Sequence, residues 1–176
     1  MAVMKRNTVN NLDNPVAIGR LDTRNCYASI RNFPDQIDYS WRKMDSLSLH
    51  SINADINSVY FCGMGGSAYG ARIIKSLFQE QLKVPVIIVD DYQLPPSADQ
   101  KSLIICSSYS GNTEETISCF NQALKQSDNI FGITSGGVLA GLLKQYNKPF
   151  FQFDPLLNPS KQPRLGQGFM IIAALA

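Results

Sequence analysis

Two stretches of the sequence combine glycine with small hydroxyl residues directly after an apolar run. The denser one spans residues 107–113 and reads Ser-Ser-Tyr-Ser-Gly-Asn-Thr. The hydroxyls of Ser108, Ser110 and Thr113 could all donate to one oxyanion, and Gly111 could supply the turn that curves them around it. A helix beginning near Thr113 would add unpaired backbone N–H groups and the positive end of its dipole. The pattern therefore predicts a phosphate site made of neutral donors.

The second stretch, residues 63–68, reads Gly-Met-Gly-Gly-Ser-Ala. Gly65 and Gly66 allow the main chain to approach a ligand closely, and Ser67 could cap the next helix or donate to an anion. In the denser stretch, Gly111 and Asn112 are expected to bring the backbone close to the ligand in the same way. Ligands of open parallel sheets bind at the carboxyl ends of the strands, so both loops are expected to line one site.

A capping box is the plain alternative for the hydroxyl residues. Thr113 and Thr116 precede an apolar helix, and one of them could cap it. Capping accounts for one hydroxyl or two, but not for a cluster of three beside a glycine and an asparagine.

A nicotinamide-binding domain is a second alternative. Residues 63–68 satisfy G-x-G-x-x-A after a predicted strand, and Asp90 or Asp91 follows the next strand, where a ribose-binding acid belongs. The match is short, and it leaves the hydroxyl cluster unexplained.

Short apolar runs alternate with helical stretches from residue 58 onward. The runs are 59–62, 85–89, 103–106, 130–133 and 149–153, and the candidate helices lie near 66–81, 113–126 and 137–146. Continuous apolar runs are typical of strands buried on both faces, and their alternation with helices indicates a parallel sheet. Residues 58–176 are therefore expected to form a three-layer α/β/α sandwich with a five-stranded parallel sheet, of the flavodoxin-like or Rossmann-like type.

The segment before the sheet divides into two parts. Residues 1–22 are polar and rich in turn formers, and an irregular lead-in is expected there. Residues 23–57 carry apolar residues at helical spacing, interrupted near Phe33-Pro34. Two short helices packed on the domain are expected in this second part.

Composition excludes several classes of protein. A net charge of +2 without a cluster of Lys and Arg argues against a nucleic-acid partner. No apolar run reaches the about 18 residues of a membrane span, and the first residues lack a signal-peptide core, so a cytoplasmic protein is expected. The four cysteines form no CxxC pair and are expected to be buried, reduced thiols rather than disulfides or metal ligands: Cys26, Cys62, Cys106 and Cys119.

The motifs GMGGSAYG, SSYSGNTEET, ITSGG at 133–137 and QPR at 162–164 resemble the sugar isomerase (SIS) domain. More narrowly, they resemble the first half of the bifunctional phosphoglucose/phosphomannose isomerases. The resemblance covers about residues 24–176. It implies an aldose–ketose isomerase that interconverts glucose 6-phosphate and mannose 6-phosphate with fructose 6-phosphate, with a hexose phosphate substrate, no cofactor and no metal.

The resemblance also assigns roles to single residues. It implies that the hydroxyls of Ser108, Ser110 and Thr113 contact the phosphate, and that Ser67 makes a further contact to the sugar phosphate. It implies that Arg164 stabilises the enediolate as the C2 proton moves. Without the resemblance, Arg164 would be read as a solvated charge after a proline.

The expected proton-transferring groups are missing from this sequence. In the family they are a glutamate and a histidine of the second half, beyond residue 176. His50 matches no motif and is expected at the surface, and Glu114 and Glu115 are assigned to the first turn of a helix, where acidic residues favour the dipole.

The last residues, 168–176, are apolar all round and lack a capping residue, so the chain is expected to be cut within a helix, before a second SIS domain. The chain alone is expected to be inactive, and the resemblance implies a homodimer for the longer parent. A phosphosugar-binding regulatory domain without catalysis remains an alternative.

Overall fold

The computed structural model describes residues 13–53 and 55–176. Helices α1 (Pro15–Leu21), α2 (Cys26–Arg31) and α3 (Phe33–Asp45) precede the sheet. The break between α2 and α3 falls at Asn32, directly before Phe33-Pro34, so the prediction of two helices interrupted at this proline is confirmed. Proline is tolerated there because the first turn of a helix needs no N–H donor from it.

Helix α1 corrects the irregular lead-in predicted for residues 1–22. Asn14 accepts hydrogen bonds from the N–H groups of Val16 and Ala17, both at 3.1 Å, and Pro15 occupies the first helical position. The Asn-Pro pair that suggested a turn therefore begins a helix. Residues 1–12 lie outside the described part, and the prediction stays open for them.

The five strands are β1 (Ser58–Cys62), β2 (Val86–Val89), β3 (Ser102–Ser108), β4 (Ile130–Thr134) and β5 (Phe150–Gln152). They form one parallel sheet in the order β2-β1-β3-β4-β5. This is the flavodoxin-like strand order. The predicted five-stranded parallel sheet is confirmed.

The remaining helices cover both faces of the sheet. They are α4 (Tyr69–Phe78), α5 (Glu114–Ala123), α6 (Gly137–Gln145) and α7 (Gln167–Leu175). One apolar core joins the sheet to α5 and α6 through residues such as Phe120, Leu139 and Leu143. The other joins it to α3, α4 and α7 through residues such as Phe151 and Phe169. The three layers are therefore helices, sheet and helices, as predicted.

Helix boundaries are shorter than the periodicity suggests. The stretch predicted as one helix over 66–81 is a 3-10 turn at Gly65–Ala68 followed by α4, which ends at Phe78. Two further 3-10 turns, Pro155–Leu157 and Pro163–Leu165, lie between β5 and α7. The second of them carries Arg164 to the sheet edge where the strands end.

Candidate functional site

The two predicted loops leave neighbouring strands at the same edge of the sheet. β1 and β3 pair directly, with Cys62 opposite Cys106. The chain after β1 leads to α4 on one face, and the chain after β3 leads to α5 on the other. This is a topological switch point, where open α/β sheets bind their ligands.

Hydrogen bonds join the two loops into one unit. The Ser107 hydroxyl donates to the Ser67 carbonyl at 2.8 Å, and the Tyr109 N–H donates to the Ser67 hydroxyl at 3.3 Å. A Cβ at Gly63 would lie 3.0 Å from the Ser107 carbonyl oxygen, which is tight for a side chain. Glycine at this position therefore allows the loops to come together, and Ser67 is fixed against the second loop.

Within residues 107–113 the three predicted hydroxyls are not equivalent. Ser108 is 1% exposed, accepts a hydrogen bond from the Gly111 N–H at 3.0 Å and shares one with the Thr113 hydroxyl at 2.8 Å. Ser110 is exposed, and its hydroxyl accepts from the Asn112 N–H at 3.2 Å. Ser108 thus lies behind the loop and orients Thr113, while Ser110 and Thr113 line a cavity.

Thr113 is the residue directly before α5, yet its hydroxyl makes no cap hydrogen bond to the helix. The hydroxyl pairs with Ser108 instead. The capping-box alternative therefore fails for Thr113. Glu114 and Glu115 lie in the first turn of α5, where carboxylates interact favourably with the helix dipole, as expected.

Gly111 has the backbone conformation for which glycine was predicted. Its φ is +72°, and a Cβ there would collide with the backbone carbonyl of Gly136. Among the other predicted backbone positions, Gly65 has a φ of +51°, and Gly66 lies against Gln167, whose side chain a Cβ would meet at 2.7 Å.

A cavity of about 330 Å³ joins the two loops to the segment before α7. Hydroxyl, guanidinium and carboxamide groups line it together: Ser67, Ser110, Thr113, Gln162, Arg164 and Gln167. The structure thus brings Arg164 to the predicted phosphate loops, although it is exposed and follows them by more than fifty residues. Ser108, Gly111 and Asn112 do not line this cavity and support it from behind.

Tyr109 connects the loop of residues 107–113 to the segment that carries Arg164. Its ring lines the cavity and packs on Phe153, with the ring centroids 5.2 Å apart. Its hydroxyl accepts a hydrogen bond from the buried Asn158 side chain at 2.8 Å, and the same amide donates to the Gln162 carbonyl at 2.8 Å. Burial raises the pKa of Tyr109, so the phenol stays neutral and acts as a hydrogen-bonding group.

The sequence assigned no role to the ITSGG stretch, residues 133–137, which supports the loop of residues 107–113. Both the N–H and the hydroxyl of Ser135 donate to the Tyr109 carbonyl, at 3.1 and 2.7 Å. The Asn112 side chain accepts from the Val138 N–H in the first turn of α6 at 3.0 Å. Gly137 has a φ of +67°, and a Cβ would collide with the Ser110 carbonyl. Two successive glycines after a buried strand were the available signal.

The features behind the other predictions lie away from the cavity. His50 is exposed, as expected, and Asp90 forms an exposed ion pair with Arg72 at 3.2 Å. All four cysteines are free thiols; three are buried, and Cys26 is half-buried, less than predicted. Residues 13–53 and 55–176 contain no group of three or more metal-ligating side chains and no helix with the length and apolar character of a membrane span.

The fold and the site define an α/β domain with a cleft lined by hydroxyl, guanidinium and carboxamide groups at the switch point of a parallel sheet. Residues 54–138 match the family model of the SIS domain. The glycine-rich loop lies within this match, which argues against the dinucleotide-binding alternative.

The chain is also similar to curated proteins of one kind. The chain is 37% identical over 150 residues to the bifunctional phosphoglucose/phosphomannose isomerase of Caldicellulosiruptor bescii, covering 85% of this chain and 43% of that protein. It is 39% identical over 117 residues to the enzyme of the same name from Thermoplasma volcanium, covering 66% of this chain and 34% of that protein. The chain is homologous to these isomerases and spans less than half of their length.

Solved structures share the fold at low sequence identity. The tagatose-6-phosphate ketose/aldose isomerase of Escherichia coli aligns with a TM-score of 0.67 and 18% identity, over 89% of this chain and 47% of that one. The Vibrio vulnificus NanR protein, solved in complex with ManNAc-6P, aligns with a TM-score of 0.58 and 17% identity, over 91% of this chain and 64% of that one.

Proposed function

We propose that this chain binds a hexose phosphate as the first SIS domain of an aldose–ketose isomerase, one that interconverts glucose 6-phosphate and mannose 6-phosphate with fructose 6-phosphate. The observation that carries the proposal is the cavity that Ser67, Ser110 and Thr113 line together with Arg164. The names of the curated relatives support the substrate class.

The phosphate group fits the end of the cavity formed by the two loops. Ser110 and Thr113 supply hydroxyl donors, and Ser67 faces them from the neighbouring loop. The first turn of α5 adds N–H groups and the positive end of a helix dipole. Ser108 contributes indirectly in this proposal, because its buried hydroxyl fixes the orientation of Thr113.

Arg164 is the group that we place beside the reacting carbons of the sugar. Removal of the C2 proton of an aldose or ketose leaves an enediolate, whose oxygens carry the developing negative charge. A guanidinium stays protonated at any physiological pH, so Arg164 can stabilise that charge without taking part in proton transfer. Its place on the cavity wall fits this role.

The isomerisation also needs a base to move the proton and a group to open the sugar ring. No aspartate, glutamate or histidine of the described residues lines the cavity. We therefore propose that these groups come from outside this chain, from a second SIS domain or from a second copy in a homodimer.

The free state of the cysteines supports a cytoplasmic location for this protein.

Binding without catalysis is the second candidate function. The lack of carboxylate and imidazole groups on the cavity wall within the described residues favours it. A regulatory domain would need only the phosphate loops and a contact to the sugar. Turnover by a longer protein that contains this chain would exclude this candidate, and binding without turnover by that protein would establish it.

Calorimetric titration tests the proposal directly. We expect fructose 6-phosphate to bind to the chain and to raise its melting temperature, while NAD gives no heat and no shift. The replacement of Arg164 by alanine should weaken fructose 6-phosphate binding more than binding of inorganic phosphate. Binding of NAD but not of fructose 6-phosphate would refute the proposal.

A further inference from the structure

The amide of Gln36 in α3 reaches into the segment that carries Arg164. Gln36 is fully buried, at 0% exposure. Its side-chain nitrogen donates to the carbonyl of Leu157 at 3.1 Å and to the carbonyl of Leu165 at 2.9 Å. One amide group therefore ties the 3-10 turn Pro155–Leu157 to the 3-10 turn that contains Arg164, and Leu165 is the residue next to that arginine.

Helix α2 holds the same segment at a second point. The N–H of Ser160 donates to the hydroxyl of Ser29 at 3.0 Å, and both residues are buried. The segment thus has one anchor in each of two helices that precede the sheet. Both anchors are more than a hundred residues away in the sequence.

The side chain of Arg164 has no anchor of its own. Among residues 13–53 and 55–176 it forms no ion pair and no hydrogen bond. The location of its guanidinium therefore depends on the position of its backbone. A long side chain on a loosely held backbone would lose more conformational freedom on binding a ligand.

Gln36 is an unusual choice if stability alone is considered. Its side-chain oxygen is buried and lacks a hydrogen-bond partner within the described residues. Burying an unpaired acceptor is unfavourable, and methionine would fill the same space without that penalty. The space is tight, since a Cβ at Gly168 would lie 2.6 Å from the Cβ of Gln36. The two donated hydrogen bonds are what the glutamine adds.

We infer that Gln36 is a positioning residue, which holds the backbone of Arg164 at the distance from the phosphate loops that a sugar phosphate requires. The inference rests on the proposed function, because it uses the contact of Arg164 with the sugar. It adds a role for the N-terminal helices, which complete the site although none of their residues lines the cavity.

A thermodynamic cycle tests the inference by calorimetry with fructose 6-phosphate and inorganic phosphate. We expect Gln36→Met to weaken fructose 6-phosphate binding about tenfold and to change inorganic phosphate binding less than about twofold. The loss should disappear in an Arg164→Ala background, since the two residues then act through one contact. An equal loss in the Arg164→Ala background would overturn the inference, and so would the absence of any loss when Gln36→Met is made in the wild-type chain.

Ser40→Ala is the matched control. Ser40 is equally buried in α3, but its hydroxyl donates only to the Gln36 carbonyl of the same helix, at 2.7 Å. Its removal should leave both affinities unchanged. Where Gln36→Met does not fold, Ser29→Ala removes the anchor in α2 and should give the same pattern, with a smaller loss of fructose 6-phosphate affinity.

Amide hydrogen exchange provides a readout that needs no ligand. Gln36→Met should speed exchange over residues 155–166 and leave residues 107–113 unchanged, while Ser40→Ala alters neither segment. If the wild-type chain binds no fructose 6-phosphate, the proposed function fails and the exchange data alone decide the anchoring. Unchanged exchange over residues 155–166 in Gln36→Met would overturn the inference that Gln36 anchors this segment.

Discussion

The hydroxyl oxygens of Ser108 and Thr113 lie 2.8 Å apart, with Ser108 buried and Thr113 at the cavity wall. The pair links the end of β3 to the start of α5. It divides the hydroxyl cluster into a group that shapes the loop and a group that can meet the ligand. Substitutions of the two groups should therefore have different effects on stability and on ligand binding.

Ser108→Ala and Ser110→Ala form the first test. Ser108→Ala removes one of the two acceptors of the Gly111 N–H and the partner of the Thr113 hydroxyl, so the free energy of unfolding should fall by about 1–3 kcal/mol, together with phosphosugar affinity. Ser110 is exposed, so Ser110→Ala should weaken binding with a change in stability within about 0.5 kcal/mol. Denaturant unfolding and calorimetry measure both quantities. Equal stability losses in the two variants would contradict the division.

Gly111→Ala and Gly141→Ala should change stability in opposite directions. At Gly111 the positive φ and the carbonyl of Gly136 both oppose a Cβ, so unfolding should become easier by about 2–3 kcal/mol. Gly141 is exposed in α6 with open space around it, so alanine there should add about 0.5–1 kcal/mol of stability. Thermal unfolding measures both. A neutral Gly111→Ala would mean that the loop has room to rearrange.

The location of the candidate site could be inferred from the sequence because it depends on local patterns. Apolar runs identify the strands, and glycine–hydroxyl loops directly after them mark the carboxyl edge of the sheet. The inward position of Ser108 could not be predicted in this way. Strand β3 extends to Ser108 because Ser107 and Ser108 pair with Ile133 and Thr134, and that register is a tertiary property. Successive side chains of a strand point to opposite faces of the sheet. Ser107 therefore points toward Ser67, and Ser108 points toward Thr113.

Only the family resemblance pointed to Arg164, and local sequence patterns could not predict its position for a related physical reason. Its segment has little regular structure and is held by Gln36 and Ser29, which lie far away in the sequence. Local periodicity carries no information about such contacts. The prediction of an irregular lead-in missed α1 for a different reason. Asn14-Pro15 is compatible both with a turn and with the start of a helix.

Thiol reactivity tests the packing of the three buried cysteines. A hydrogen-bond contact with Cys106 and burial raise the pKa of the Cys62 thiol, and contact with Cys62 and burial raise the pKa of Cys119. The thiolate is the reactive form, so raising the pH from 7 to about 9 should not make Cys62 and Cys119 react with Ellman's reagent while the chain stays folded. Only the half-buried Cys26 should react in the native state, and all four after unfolding. Fast reaction of more than one native thiol would indicate a loosely packed sheet.

Asn112 offers a test of where the phosphate lies. Its side chain accepts a hydrogen bond from the Val138 N–H at the start of α6, at 3.0 Å. Asn112→Asp keeps that acceptor and places a negative charge at a helix N-terminus, so stability should be maintained. The same charge stands beside Thr113, so phosphosugar affinity should fall about tenfold at low salt and recover partly as salt screens the repulsion.

Asn112→Leu is the complementary variant. It removes the acceptor without adding charge, so the free energy of unfolding should fall by about 1 kcal/mol, and the remaining affinity should not depend on salt more than that of the wild type. Calorimetry at two ionic strengths separates the two effects. If Asn112→Asp binds fructose 6-phosphate as tightly as the wild type at low salt, the phosphate cannot lie against residues 107–113, and the anion site must be sought on the Arg164 side of the cavity.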